Sequence, residues 1–158
     1  MSETEAHVHR YPATTRWSGS TGVGYADYDR THRVDCPPVA QTLTLSSDPA
    51  FLGAPDELDP ERLLVAAASS CQLLSFLAVA ARARIDVIAY VDDALAEMPD
   101  DGRPMAIERI TLRPTVTIRG QASEERLRKL TDLAHRECFI ANSLRSAMAI
   151  EPTFVFVD

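Results

Sequence analysis

From Leu63 to Ala81 the chain carries no charged residue over 19 consecutive positions, and the segments on either side are patterned quite differently. Before it, Tyr11 to Val34 reads as two extended runs around the turn cluster Ser18, Gly19, Ser20, Thr21, Gly22. Tyr28, Arg30, His32 and Val34 then fall on one face of the second run. A further strand is predicted over Gln41 to Leu45, and Ser46 to Leu58, with Pro49, Gly53 and Pro55, reads as a loop. Asp59 offers an N-cap carboxylate, Pro60 fits the first helical position and Glu61 puts negative charge in the first turn, so a helix is expected over roughly Pro60 to Arg84. Beyond it, Asp86 to Met98 and Ile107 to Ile118 form a hairpin across Pro99, Asp100, Asp101 and Gly102, with Pro114 marking an edge or a bulge. Ser123, followed by Glu124 and Glu125, opens a second helix whose apolar stripe runs Leu127, Leu130, Ala134, Cys138. Strand-like runs Leu144 to Ile150 and Thr153 to Val157 follow. This order predicts an α+β fold with a largely antiparallel sheet, in a single domain over residues 1–158 whose residues 1–6 are frayed.

The uncharged helix meets the length criterion for a membrane span. Ser69, Ser70, Cys71, Gln72 and Ser75 occupy its middle, however, where a lipid-facing span needs its most apolar residues, and no second span follows. A helix surrounded by protein is the expectation, with no membrane partner. At 158 residues the chain can bury a core without staples, and its net charge of −7 argues against phosphate backbones, so no nucleic-acid partner is expected. Lys129 is the single lysine beside fifteen arginines, which confines Schiff-base chemistry to that one position. There is no glycine-rich phosphate loop, and His7, His9, His32 and His135 lack the spacing of a zinc site, so no cofactor and no metal are expected. The acidic residues Asp92, Asp93, Glu97, Asp100 and Asp101 read as a solvated loop.

Cys36, Cys71 and Cys138 remain. An odd number of cysteines without an apolar leader points to the reducing cytoplasm, where a cysteine is most often a small buried hydrophobe. Cys36, in the turn-like Cys36-Pro37-Pro38, has no motif. Cys71 and Cys138 both face packed protein on their helices, which suits either two structural cysteines or a redox pair.

Two stretches carry a resemblance. Asp59-Pro60-Glu61-Arg62-Leu63-Leu64 leading to Ser70-Cys71, and Ala134-His135-Arg136-Glu137-Cys138-Phe139-Ile140-Ala141-Asn142-Ser143, resemble in order and content the two cysteine motifs of the OsmC/Ohr superfamily. The resemblance implies an OsmC-like fold with antiparallel sheets around central helices, an intertwined homodimer, and thiol-dependent reduction of organic hydroperoxides. It implies that Cys71 is the peroxidatic thiol and Cys138 the resolving one, recycled by an external thiol or dithiol protein, with a lipoyl-type dithiol among the candidates. Glu61 matches a glutamate that orients an arginine in that family. Ten residues at about 1.5 Å each put Glu61 roughly 15 Å from Cys71 along a continuous helix, so it serves a site only from a second subunit or from a broken helix. Family members carry the arginine after the first glycine-rich turn or on the third strand, where this chain has Val23-Gly24 and an arginine-free Gln41 to Ser46. Arg30 is the expected substitute, ahead of Arg16 and Arg33, because its strand face also carries Tyr28 and Val34. Leu74, Phe76 and Phe139 would favour alkyl peroxides. The competing expectation is a non-enzymatic stress-response or apolar-ligand-binding protein of the same fold.

Overall fold

The computed structural model describes residues 7–158, so the N-terminal stretch read as frayed lies outside the described residues. The chain divides into two compact units, Met1–Pro60 and Glu61–Asp158.

In the first unit β1 (Thr14–Arg16), β2 (His32–Asp35) and β3 (Thr42–Leu45) form an antiparallel sheet in the order β1-β2-β3, with Thr15 opposite Val34 and Val34 opposite Leu43. The second extended run is shorter than its sequence suggests. Ser20 accepts a hydrogen bond from the Gly22 amide, a 3-10 turn follows at Thr21–Val23, and Gly24 takes φ 102°, a conformation that costs a side-chain-bearing residue. The backbone re-enters strand geometry only at His32. Tyr28 and Arg30 therefore precede β2 instead of sharing a strand face with Val34, which removes the sequence argument for preferring Arg30. After β3, Asp48 caps the 3-10 turn Pro49–Phe51 by accepting from the Ala50 amide (2.8 Å), and Ser46 accepts from the Ala54 amide (3.1 Å). Gly53 lies directly on the backbone of Ser47, with no room for a Cβ.

The second unit is organised around α1 (Pro60–Arg82), two residues shorter than expected. The predicted hairpin forms, but each arm is cut in two. β4 (Asp86–Asp92) pairs antiparallel with β7 (Pro114–Arg119), and β5 (Leu95–Glu97) pairs antiparallel with β6 (Arg109–Leu112), so the arms feed two sheets. β8 (Ala147–Ile150) then joins β6 and β9 (Thr153–Val157) joins β7, both in parallel, giving the orders β5-β6-β8 and β4-β7-β9. Pro114 is thus in a central strand, not at an edge or a bulge. As the strand's first residue it needs no amide of its own, and the preceding Arg113 amide goes to the Asp92 carboxylate (2.7 Å). The bulge lies in β4 between Val87 and Ala89.

α2 (Glu124–Glu137) starts where the sequence places it, with Ser123 accepting from the Arg126 amide (3.3 Å), and Leu127 and Ala134 of the expected stripe are buried. The lower half of α1 (Phe76, Val79, Ala80) packs with α2 on Val116 and Ile118 of β7, while Ala68 in its upper half packs on Ile110 and Leu112 of β6. Each fully buried Val, Leu, Ile or Phe among them contributes roughly 1.5–3 kcal/mol. Exposed pairs such as Arg119–Asp86 and Arg82–Glu137 contribute about 0–1 kcal/mol, so the apolar stripe of α1 decides the fold of this unit.

That stripe is narrow. Ala68, Gln72, Phe76, Val79 and Ala80 are buried, whereas Leu74 is 64% exposed and Leu77 38%. The expectation of a helix enclosed on all sides is not met within one copy of the chain, because the two sheets and α2 occupy one side of it. Replacing Gly53 by alanine should lower the urea midpoint of unfolding, at a cost above about 1 kcal/mol, since the added methyl meets backbone that cannot rotate away.

Candidate active site

Cys71 sits one position before the buried Gln72, between the sheet contact of Ala68 and that of Phe76. Cys138 is the C-cap of α2 and is fully buried. The chain then turns sharply through the 3-10 segment Ala141–Ser143, and this turn offers two successive amides to the two sulfurs. The Ile140 N–H donates to Cys71 Sγ at 3.5 Å and the Ala141 N–H to Cys138 Sγ at 3.4 Å. The two are not joined in a disulfide; Cys71 is half-buried and Cys138 has no exposed surface, so of the pair only Cys71 can meet a solute. Burial pushes the Cys138 thiol up to about 11; the hydrogen bond with Cys71 and its charge add to this, while the Ala141 and Ile140 amides oppose it. At neutral pH Cys138 is therefore a protonated thiol beside Cys71.

Further polar groups lie on the elements that carry the pair and on their neighbours. Across the β4 bulge Val87 and Tyr90 both pack on the core, although they are three apart, and this change of parity also turns Asp92 inward. The Tyr90 ring lies 6.1 Å from that of Phe76 and its hydroxyl oxygen is buried with no hydrogen-bond partner among the described residues. Burial, with Asp92 and Cys138, holds that hydroxyl well above the usual tyrosine range. Asp92 accepts from Ser69 Oγ (2.5 Å) as well as from the Arg113 amide, so it is not part of a solvated acidic loop. Gln72 reaches the Thr131 carbonyl at 3.5 Å. The polar residues in the middle of α1 thus include two that are tied to neighbouring elements, as buried polar groups require. His135, three residues before Cys138, is half-buried and its carbonyl accepts from the Cys138 amide (3.2 Å).

The other expected site residues belong to other elements of the chain. α1 is one unbroken helix, so Glu61 is a first-turn residue about 15 Å along it from Cys71, and the broken-helix route for Glu61 falls away. Arg30, in the first unit, is 8% exposed; its guanidinium donates to the Tyr28 carbonyl (2.8 Å) and the Tyr25 carbonyl (2.6 Å) and stacks on both rings. Arg16 pairs with Asp35, and Arg33 is exposed on β2. Of the apolar residues expected at the site, Phe139 (80%) and Leu74 (64%) are exposed, whereas Phe76 belongs to the core and is not available to a ligand. Among the described residues no three His, Cys, Asp or Glu side chains gather as metal ligands.

Residues 53–153 match the family of OsmC-like proteins. The chain belongs to that family. Its structure is similar to that of an OsmC-like protein of unknown function from Vibrio cholerae, with a TM-score of 0.81 and 29% identity over 92% of this chain and 99% of the other. Two more distant likenesses are organic hydroperoxide resistance proteins. The one from Elizabethkingia anophelis has a TM-score of 0.69 and 18% identity over 96% and 99% of the two chains; the one from Legionella pneumophila has 0.65 and 15% over 94% and 98%. No curated protein matches the chain. The OsmC-like fold, its α+β class and the resemblance read from the two cysteine motifs therefore stand.

The raised Cys138 pKa has a consequence for stability. Above the ordinary thiol range the unfolded chain releases this proton while the folded chain keeps it, so the folded state loses ground as pH rises. Unfolding free energy should fall between about pH 9 and about pH 11, and the slope should be shallower in Cys138→Ser, as measured by denaturant titrations across that range.

Proposed function

We propose that this chain is a thiol peroxidase that reduces organic hydroperoxides to alcohols. The observation that carries the reading is that one turn presents consecutive amides to an accessible thiol, Cys71, and to a buried protonated one, Cys138. The Cys71 thiolate attacks the peroxide O–O bond, becoming a sulfenic acid as the alkoxide leaves and takes a proton to give the alcohol. The Cys138 sulfur then displaces water from the sulfenic acid and forms a Cys71–Cys138 disulfide, which an external dithiol reduces by exchange. Cys138 stays protonated until the sulfenic acid exists, which keeps it from competing for the peroxide.

The exposed side of α1 is the place for a second copy in this proposal: Leu74 and Leu77 lie on it, and burying each contributes roughly 1.5–3 kcal/mol. A homodimer is also the only arrangement that brings a Glu61 to a Cys71. Arg30 is retained as the proposed cation of the thiolate, since only two of its five N–H donors are engaged by carbonyls. The proposed setting is the reducing cytoplasm, with a thiol or dithiol protein as reductant. The packing of Arg30 between two tyrosines favours the second reading, a non-enzymatic stress or ligand-binding protein, and the assay below decides between them.

With substoichiometric cumene hydroperoxide the purified protein should consume peroxide and lose two thiols per chain, and Cys71→Ser should do neither. Cys138→Ser should complete one turnover and then accumulate higher oxides of Cys71 by mass spectrometry. Arg30→Ala should slow peroxide reduction by roughly 10- to 100-fold, the worth of a hydrogen bond to a charged group; an unchanged rate would discard Arg30. Leu74→Glu should turn the dimer into a monomer in sedimentation. Mixing inactive Glu61→Gln and Cys71→Ser proteins should restore activity once subunits exchange.

A further inference from the structure

The first unit carries an open cleft of about 620 Å³, within the range that holds small organic ligands, with Trp17 and Tyr25 partly open to solvent along it. Trp17, Tyr25 and Tyr28 wall it, and Arg30, His32 and Ser47 supply its polar groups. The walls are fixed by their own contacts. Trp17 donates its indole N–H to the Asp29 carbonyl (2.7 Å) and lies edge-on to Tyr28, with ring centres 6.3 Å apart. Its ring also lies on Gly19, where a Cβ would come within 2.7 Å of it. Tyr25 and Tyr28 meet edge-on at 6.3 Å.

The charge balance of this cleft is unusual. Arg30 is 8% exposed, and no carboxylate among the described residues pairs with it. Asp29, next to it in sequence, spends a carboxylate oxygen on the Thr31 amide (2.8 Å). The guanidinium is held by two carbonyl dipoles and by the faces of Tyr28 (3.9 Å to the ring centre) and Tyr25 (5.0 Å). These offset part of the cost of burying a cation, and a counter-anion supplies what they do not. Three N–H donors remain beyond the two given to carbonyls, enough for the two-pronged grip that a carboxylate accepts.

We propose that this cleft binds a small apolar monocarboxylate, its acid group on Arg30 and its hydrocarbon body against Trp17, Tyr25 and Tyr28. A monoanion matches a single buried cation, and aromatic walls match an alkyl or aryl body better than a sugar or a phosphate. The site is argued from the first unit alone but shares Arg30 with the peroxidase proposal, so the test uses the Cys71→Ser chain, in which thiol chemistry at Cys71 is absent.

Trp17 is the chain's only tryptophan and lines the cleft, so its emission reports occupancy. Octanoate and 4-phenylbutanoate should change that emission saturably, octanamide should bind at least about tenfold more weakly, and inorganic phosphate should have no effect. Arg30→Gln should remove the preference for acid over amide. Equal affinity for octanoate and octanamide, no saturable change with either acid, or an Arg30→Gln chain that still prefers the acid would each overturn the proposal. The comparison of acid with amide is made in a chain with Arg30 intact, so it decides the matter even where the Arg30 variant does not fold.

Discussion

The second unit depends on one face of α1 meeting two sheets at once. A helix is straight and the two sheets are separate, so its upper turns must fit β6 and its lower turns β7. The fit is made by size. Ala68 lets the helix come close to Ile110 and Leu112, while Phe76 reaches across to Val116 and Ile118. Cys71 falls at the step between these contacts, on the same side as Ala68 but one position off the buried stripe. Its sulfur is for that reason half-buried, covered enough to be shaped by protein and open enough to be reached.

Much of this was legible in the sequence because the signals were local. The proline and acidic first turn of α1, the Ser123 cap of α2 and the two cysteine motifs each depend on a few neighbouring residues, and each lies where its residues put it. What could not be read depends on parity and on partners distant in sequence. A single extra residue at the β4 bulge reverses which side chains face inward, so Tyr90 and Asp92 read as part of a plain strand and an acidic loop. The division of the hairpin between two sheets leaves no trace beyond Arg113 and Pro114. Tyr28 and Arg30 look like alternate residues of a strand until the turn before them is followed, and that turn is set by Gly24 and by a serine hydroxyl.

The site has its own asymmetry, and burial is its main source. Two chemically identical thiols receive near-identical amide contacts from one turn, yet Cys138 is sealed at the end of α2 while Cys71 borders solvent. The low-dielectric setting keeps the sealed thiol neutral, with no need for a different residue type. Burial of Arg30 follows the opposite logic, because a guanidinium does not shed its charge and must be surrounded by carbonyls and aromatic faces instead.

That the sulfurs are held by main-chain amides also says something about how such a protein can change. A backbone N–H is the same whatever side chain it carries, so the contacts from the Ile140 and Ala141 amides do not depend on which side chain stands at 139. Phe139, 80% exposed on this turn, is then free to be tuned by selection while the sulfur contacts stay constant. Divergent chains of such a fold can keep one arrangement of sulfurs and amides and differ in the surface around it.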